Sequence, residues 1–364
     1  MSLFFLIFFI KIYFTEHQEA PKQTKFKQNL KNFIKTNNNI KNINNKSPCK
    51  YKQILSRILL VINFSKPIYS TIPILRELYG PIYKKIVFCG PKGNNDEDIL
   101  RVVENNGYQG YICLVKAIEI HPTGYDGYFY TNDDVLLNFW NLNFDPQKIW
   151  IGKRISTKSF HRFNQHHTPK EWPWWTNRQR AAERCQKAYT EIQKLVASMP
   201  QNGVCNHLKV KNSSPNNIHK KDHHCKNVWR DNLKMFQENT HFSKSKTVCL
   251  VGRSDVFYIP SKFKEAFKRI VSIYFKEKVF LETAVPTILN YLDRKDNFLN
   301  LKGMYYNDFY GYSKEYYNGR AFLKTYSSDL TFSHPFKLSK TLNKIFLENR
   351  FVPEMKQRTV DCLE

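Results

Sequence analysis

The chain has 364 residues and a mass of 43.4 kDa, room for one large α/β domain of roughly 250 to 300 residues with appendages. Its 41% hydrophobic and 15% aromatic content excludes a disordered or low-complexity chain. The net charge of +26 raises nucleic acid as a partner, but half of the excess lies in two polar stretches, +7 in residues 1–50 and +6 in residues 200–247, so it does not describe one folded basic face.

Residues 1–14 carry an apolar run interrupted by Lys11, shorter than the roughly 20 residues of a bilayer-spanning helix. They read as a signal peptide or short signal anchor, or else as an apolar terminal strand. Residues 15–50, dominated by Lys, Asn and Gln, bury too little to offset the entropy of folding and read as a disordered stem or linker. From Ile58 to Ile62 the character changes to an uninterrupted β-branched run, the pattern of a strand buried on both faces.

A helix is expected from Pro67 through Leu78, with Ile68, Ile72, Leu75 and Leu78 on one face and Gly80 at its end. A strand follows at Ile86–Cys89. An acidic opening at Asp96-Glu97-Asp98 then predicts a helix carrying Ile99, Val102 and Val103, stopped by Gly107. Tyr111–Val115 reads as a third strand, and Gly127–Tyr130 as a fourth that runs into Asn132-Asp133-Asp134. Residues 177–198 predict an amphipathic helix and 200–247 an irregular polar insertion. Strands are expected again at Val248–Gly252 and Val256–Ile259, and a helix from about Lys262 to Phe275. The alternation implies right-handed βαβ crossovers and a mainly parallel sheet flanked by helices, in a single large α/β domain whose ligands bind beyond the carboxyl ends of the strands. In this organisation residues 51–199 hold a nucleotide-sugar-binding half, 248–345 an acceptor-side half and 346–364 a C-terminal tail.

Eight cysteines without a CxxC pair exclude a zinc ribbon or a thioredoxin-like motif. Cys89 and Cys113, inside apolar runs, read as buried thiols, whereas Cys205 and Cys225 can pair if the compartment is oxidising. The group Cys205, His207, His219, His223, His224 and Cys225 matches no standard zinc-finger spacing. Sequons at Asn45, Asn63 and Asn212 fit a luminal glycoprotein and also arise by chance in an Asn-rich chain.

The triplet Asn132-Asp133-Asp134 is the strongest chemical feature. In an extended backbone Asn132 and Asp134 share one side and Asp133 faces the other. Mn²⁺ or Mg²⁺ prefers one or two carboxylates and leaves positions for phosphate oxygens, so Asp134 is the candidate metal ligand, with Asn132 and Asp133 on the nucleotide. The competing reading is a simple turn. Glu282, after the apolar Val279-Phe280-Leu281, is a candidate general base on an acceptor hydroxyl, or only a carboxylate favoured by a helix N-terminus. Asp255 either contacts acceptor hydroxyls or caps a turn. His334 either supplies a late metal or phosphate contact or is structural. Trp172-Pro173-Trp174-Trp175, beside His166-His167, suits sugar stacking or the anchoring of a loop.

Several phrases together resemble the STELLO-type glycosyltransferase family: Tyr79-Gly80-Pro81, Phe88-Cys89-Gly90-Pro91, Gly127 through Asn138 with Trp140-Asn141, Asp255 through Pro260, and Ser333 through Ser339. They span about half of the chain. The resemblance implies a GT-A-like (Rossmann-like) fold, a type II membrane topology through the N-terminus, residence in the Golgi, and action beside polysaccharide-synthesis proteins. It carries Glu282 and His334 over as the late acid and late histidine of GT-A sites. Where an acidic-x-acidic triplet is expected this chain has Asn-Asp-Asp, which puts metal binding in question.

The leading expectation is therefore transfer of a sugar from a metal-bound nucleotide diphosphate to a glycan or protein hydroxyl acceptor. A catalytically silent Golgi protein that organises glycan-synthesis enzymes comes second, and nucleic-acid binding comes last.

Overall fold

The structure is a computed structural model that describes residues 50–93, 98–103, 107–142, 144–152, 180–198, 218–240, 249–306 and 320–359. The segments 1–14 and 15–49, the tryptophan cluster, His166, His167, Cys205, His207, and the sequons at Asn45 and Asn212 lie outside the described residues. Residues 50–344 form one compact unit.

In that unit α1 (Lys50–Leu55) leads into β1 (Ile58–Asn63), followed by α2 (Ile72–Tyr79), β2 (Lys85–Gly90), β3 (Ile99–Arg101), α3 (Tyr111–Ile120), β4 (Gly127–Asn132), β5 (Leu136–Leu137) and β6 (Trp150–Ile151). Then come α4 (Ala181–Ser198), α5 (Ile218–Thr240), β7 (Val256–Pro260), α6 (Lys264–Lys276), α7 (Leu281–Leu292), β8 (Leu299–Asn300), β9 (Gly303–Tyr305), α8 (Arg320–Thr325), β10 (Phe332–His334) and α9 (Thr341–Phe346). The main sheet has the order β3-β2-β1-β4-β7-β6-β8. Its first four strands are parallel, and the direction reverses where β4 meets β7. A second sheet joins β5, β10 and β9. This is the mainly parallel, helix-flanked α/β architecture of a GT-A-like fold. The C-terminal unit, described by itself, is helical through Leu347–Phe351 and α10 (Val352–Arg358).

Every residue of β1 is buried, which explains its unbroken apolar sequence. Alternate residues of the three central strands, Leu59 and Val61, Tyr128 and Tyr130, Phe257 and Ile259, face one core shared with α3, α6 and α7. Side chains of this size contribute about 1.5 to 3 kcal/mol each when fully buried. Tyr130 stacks on Phe257 with ring centroids 4.7 Å apart, so packing as well as register holds β4 against β7.

Four expectations change. Ile99–Arg101 is a strand paired with Phe88–Gly90 rather than a helix. Tyr111–Ile120 is a helix rather than a strand: β1 is already paired on both edges, by β2 and by β4, and the continuous apolar run reflects a helix sunk into the core. A short apolar run cannot distinguish those two cases by periodicity. The stretch 200–247 is not irregular throughout, since it contains the 23-residue α5. Trp229, Leu233 and Phe236 recur at helical spacing along α5, Phe236 stacks on Tyr291 at 4.2 Å, and the Asn239 amide donates to the carbonyls of Asn290 and Asp293. Finally, Cys249 and Leu250 form no regular strand; Leu250 N–H is instead held by the Thr287 hydroxyl of α7.

The cysteine reading is also corrected. Cys89 and Cys113 are joined in a buried disulfide between the end of β2 and α3, and Cys185 is joined to Cys249. The carboxyl ends of β2 and β1 approach α3 closely enough to form the first bond, something the spacing of 24 residues could not reveal. The sequon at Asn63 is structural, because its side chain is 1% exposed.

Gly127 opens β4 under the ring of Tyr258. A Cβ there would lie 2.2 Å from the Tyr258 hydroxyl and 2.5 Å from the Ile259 carbonyl oxygen. The strand backbone cannot retreat without breaking its pairing with β7, so Gly127→Ala is expected to cost about 1–3 kcal/mol. A thermal-unfolding midpoint equal to that of the unsubstituted chain would show that the strand adapts.

Candidate functional site

The carboxyl ends of β1 and β4 lie side by side, with Asn63 in register with Asn132. That end of an open parallel sheet is where ligands bind in such folds, and it coincides here with the reversal of strand direction at β7. Asp255 immediately precedes β7 and opposes Asn132, whose N–H donates to the Asp255 carbonyl at 3.0 Å. His334 ends β10. Because β10 runs antiparallel to β5, with Ser333 opposite Leu136, the chain beyond Ser333 runs back alongside the residues that precede Leu136, which brings His334 towards Asp134. The Phe336 N–H donating to the Asp134 carbonyl at 2.5 Å secures that approach.

Four of the candidate residues therefore converge. The His334 Nε2–H lies 3.2 Å from Asp134 Oδ1 and 3.3 Å from Asp255 Oδ1. The Asn132 amide donates to Asp255 Oδ1 at 2.9 Å, and its own oxygen accepts from the Tyr130 hydroxyl at 2.9 Å and from Asn63 Nδ2 at 3.5 Å. Asn132 and Asp134 thus share one side of the chain. Asp133 turns away, towards the backbone of Ser65 and the charge of Lys337. Gly110 permits this crowding: a Cβ would lie 2.4 Å from the Asn63 amide nitrogen and 2.5 Å from the Tyr130 hydroxyl.

Glu282 sits in the first turn of α7, as its sequence context suggests, and Arg253 lies 3.8 Å from its carboxylate. The same guanidinium lies 5.2 Å over the Tyr305 ring, which is edge-on to His334 at 5.6 Å. Arg253, Tyr305, Asn63 and Lys337 were not read as site residues from sequence, Asn63 having been noted only as a sequon. Only Asn63 carried a usable signal, since it closes the first buried parallel strand at the ligand-binding end.

The charges of the site are interdependent. Burial alone would lower the pKa of His334, but the carboxylates of Asp255 and Asp134 and the Asp134 hydrogen bond outweigh it, against opposition from Arg253, and raise it to about 9. Burial would raise Asp134, yet the charge and hydrogen bond of His334, with Lys337, bring it below the ordinary carboxylate value. Burial and then the neighbouring Asp134 charge push Asp133 up to about 8. A group whose folded pKa is raised contributes stability that is complete below its unfolded pKa and disappears as pH rises through the folded one. In the metal-free protein Asp133 should therefore withdraw stability between 3.8 and about 8, and His334 between 6.5 and about 9. Denaturant midpoints across both windows test this, and His334→Gln should remove the upper part of the dependence while the part due to Asp133 stays.

No protein-family model matches the chain. It is similar to two curated Arabidopsis thaliana proteins. Identity is 24% over 292 residues with Probable glycosyltransferase STELLO2, covering 80% of this chain and 31% of that protein. It is 25% over 250 residues with Probable glycosyltransferase STELLO1, covering 68% and 26% respectively. The chain thus spans about a third or less of the length of these relatives. With the sheet order and a similarity that extends over most of its own length, the chain is similar to STELLO-type proteins and has a GT-A-like fold.

Proposed function

We propose that this chain is a glycosyltransferase domain that moves a sugar from a metal-bound nucleotide diphosphate to a hydroxyl acceptor on a glycan or protein. One observation carries the reading: at the ligand-binding end of the parallel strands, a single histidine nitrogen lies between two carboxylates, at 3.2 and 3.3 Å. The names of the relatives, both called probable glycosyltransferases, support the same class of chemistry.

The residues fit a divalent cation, Mn²⁺ or Mg²⁺. Among the described residues no ready cage of three or more ligating side chains is present. Two carboxylates facing one histidine nitrogen nevertheless make this a point where a cation would be balanced, and the buried Asp255 Oδ2 has no hydrogen-bond partner among the described residues. Asp134 and His334 would hold the ion, and binding would release the bridging proton. When bound, such an ion neutralises a diphosphate and stabilises it as a leaving group. The chain's own residues supply the rest. Asn132, whose amide oxygen accepts from the Tyr130 hydroxyl, holds Asp255 through its amide nitrogen. Glu282, with Arg253 alongside, would accept the proton of the acceptor hydroxyl.

For the compartment, we read the two disulfides as support for the secretory pathway, since such bonds persist in oxidising lumens and are rare in the cytosol. A Golgi membrane position through the N-terminus, beside other glycan-synthesis proteins, belongs to the same reading. Among the described residues no helix is long and apolar enough to cross a membrane.

The experiment is a panel of nucleotide sugars incubated with the full chain and Mn²⁺, with release of the nucleoside diphosphate followed over time. Release with at least one donor that stops on chelation is expected. No release from any donor, with nucleotide binding retained, would favour the non-catalytic organising role.

A further inference from the structure

Resting on the transferase reading, a more specific assignment concerns the residue that completes the cation site. Asn132, the last residue of β4, is neutral, and the two acids after it lie in the turn that follows. The structure places a carboxylate directly beside Asn132 from another strand. Asp255, at the mouth of β7, is 7% exposed, and its Oδ1 accepts from the Asn132 amide at 2.9 Å. That oxygen and Asp134 Oδ1 both lie within 3.3 Å of His334 Nε2. Its other oxygen, Oδ2, is buried with no hydrogen-bond partner among the described residues. A buried carboxylate oxygen without a partner carries a desolvation penalty, which a cation relieves.

We infer that Asp255 supplies the second carboxylate of the divalent-cation site, in the place that Asn132 leaves neutral, and that the Asn132 amide is the positioning group that aims it. The orientation of that amide follows from its partners. Its oxygen accepts from the Tyr130 hydroxyl at 2.9 Å, which leaves the nitrogen to donate to Asp255. An acid at position 132 would put two carboxylates 2.9 Å apart, whereas the amide turns repulsion into a hydrogen bond. The carboxylate has in effect moved from β4 to the adjoining end of β7, with its charge kept at the same point.

The test is Mn²⁺ binding to the full chain, measured as loss of the free-ion signal in electron paramagnetic resonance, with thermal unfolding recorded for every variant. Asp255→Asn is expected to weaken Mn²⁺ binding by about 100-fold, and Asn132→Ala, which retains both carboxylates, by about 10-fold, the range found for groups that orient ligands. The double swap Asn132→Asp with Asp255→Asn keeps one carboxylate and one amide in contact and should recover binding to within several-fold of the unsubstituted chain. A purely structural role would not produce that recovery. Should Asp255→Asn and the swap fail to fold, Asn132→Ala decides the matter, since Mn²⁺ affinity equal to that of the unsubstituted chain overturns the assignment. Binding unchanged in Asp255→Asn, or a swap that binds no better than Asp255→Asn alone, overturns the assignment. If Asp134→Ala abolishes binding while those results hold, only this inference falls. If Asp134→Ala also binds Mn²⁺ normally, the transferase reading falls with it.

Discussion

Replacement of Asp134 by Ala should abolish metal-dependent binding of a nucleoside diphosphate, lowering affinity by about 100-fold or more, because a direct ligand matters at least as much as the outer-shell groups that cost 10- to 100-fold. Asp134 lies in the turn after β4 and is positioned by its backbone as well as its side chain: its carbonyl accepts from Phe336 N–H, so the loop survives truncation of the carboxylate. Its loss also leaves the raised pKa of His334 with only one of its two carboxylate partners, so the histidine titrates closer to its ordinary value. Calorimetric titration with uridine, guanosine and cytidine diphosphates, with and without Mn²⁺, separates the outcomes. Equal Mn²⁺-dependent affinity in Asp134→Ala and the unsubstituted chain would remove this residue from the site.

The second large effect is expected in stability. Closing loops of 24 and 64 residues, the two disulfides restrict the unfolded chain, and the loop-entropy account gives about 3 and about 4 kcal/mol for them respectively. Cys89→Ala with Cys113→Ala should therefore lower the denaturant midpoint markedly, and Cys185→Ala with Cys249→Ala somewhat more. The first pair has a further consequence, since Cys113 Sγ lies 3.1 Å from Asn63 Oδ1, and Asn63 in turn reaches the Asn132 amide oxygen. Loss of that bond should weaken nucleotide binding as well as stability. Midpoints unchanged by either pair, or four cysteines that alkylate readily without reductant, would contradict both the cross-links and the compartment they suggest.

The outline of the fold was largely legible in the sequence. β1, β2, β4 and β7 carry short, β-branched or aromatic runs bounded by Asn, Gly or Pro, and their buried surroundings demand that pattern. Tyr111–Ile120 misled because a helix enclosed on all sides shows the same continuous apolar run as a parallel strand. Ile99–Arg101 misled because acidic residues before an apolar pair suit a helix N-terminus, whereas here Ile99 lies against Phe88 at the sheet's end. In the candidate site, Asp134 was readable from the strand that precedes it. The meeting of Asp134, Asp255 and His334 was not. The three are separated by 121 and 79 positions and are joined only by the β4–β7 and β5–β10 pairings, which depend on tertiary topology.

The role of Asn132 was the least accessible. In isolation it reads as a weakened metal motif, and only its neighbour across the sheet shows why an amide belongs there. Asp133 illustrates the converse. The sequence placed it on the nucleotide, opposite Asp134, but in the turn that follows β4 it faces the backbone of Ser65, where burial and the adjacent Asp134 charge favour its protonated form.

In the proposed site a divalent cation binds between the ends of β4 and β10 and carries a nucleotide diphosphate. The most direct measurement is a crystal structure of the full chain grown with Mn²⁺ and a nucleoside diphosphate, with data collected for anomalous scattering from manganese. An anomalous peak is expected within coordination distance of Asp134 and His334, in contact with the diphosphate oxygens. A peak elsewhere, or an ordered nucleotide with the His334 proton still bridging Asp134 and Asp255, would contradict it.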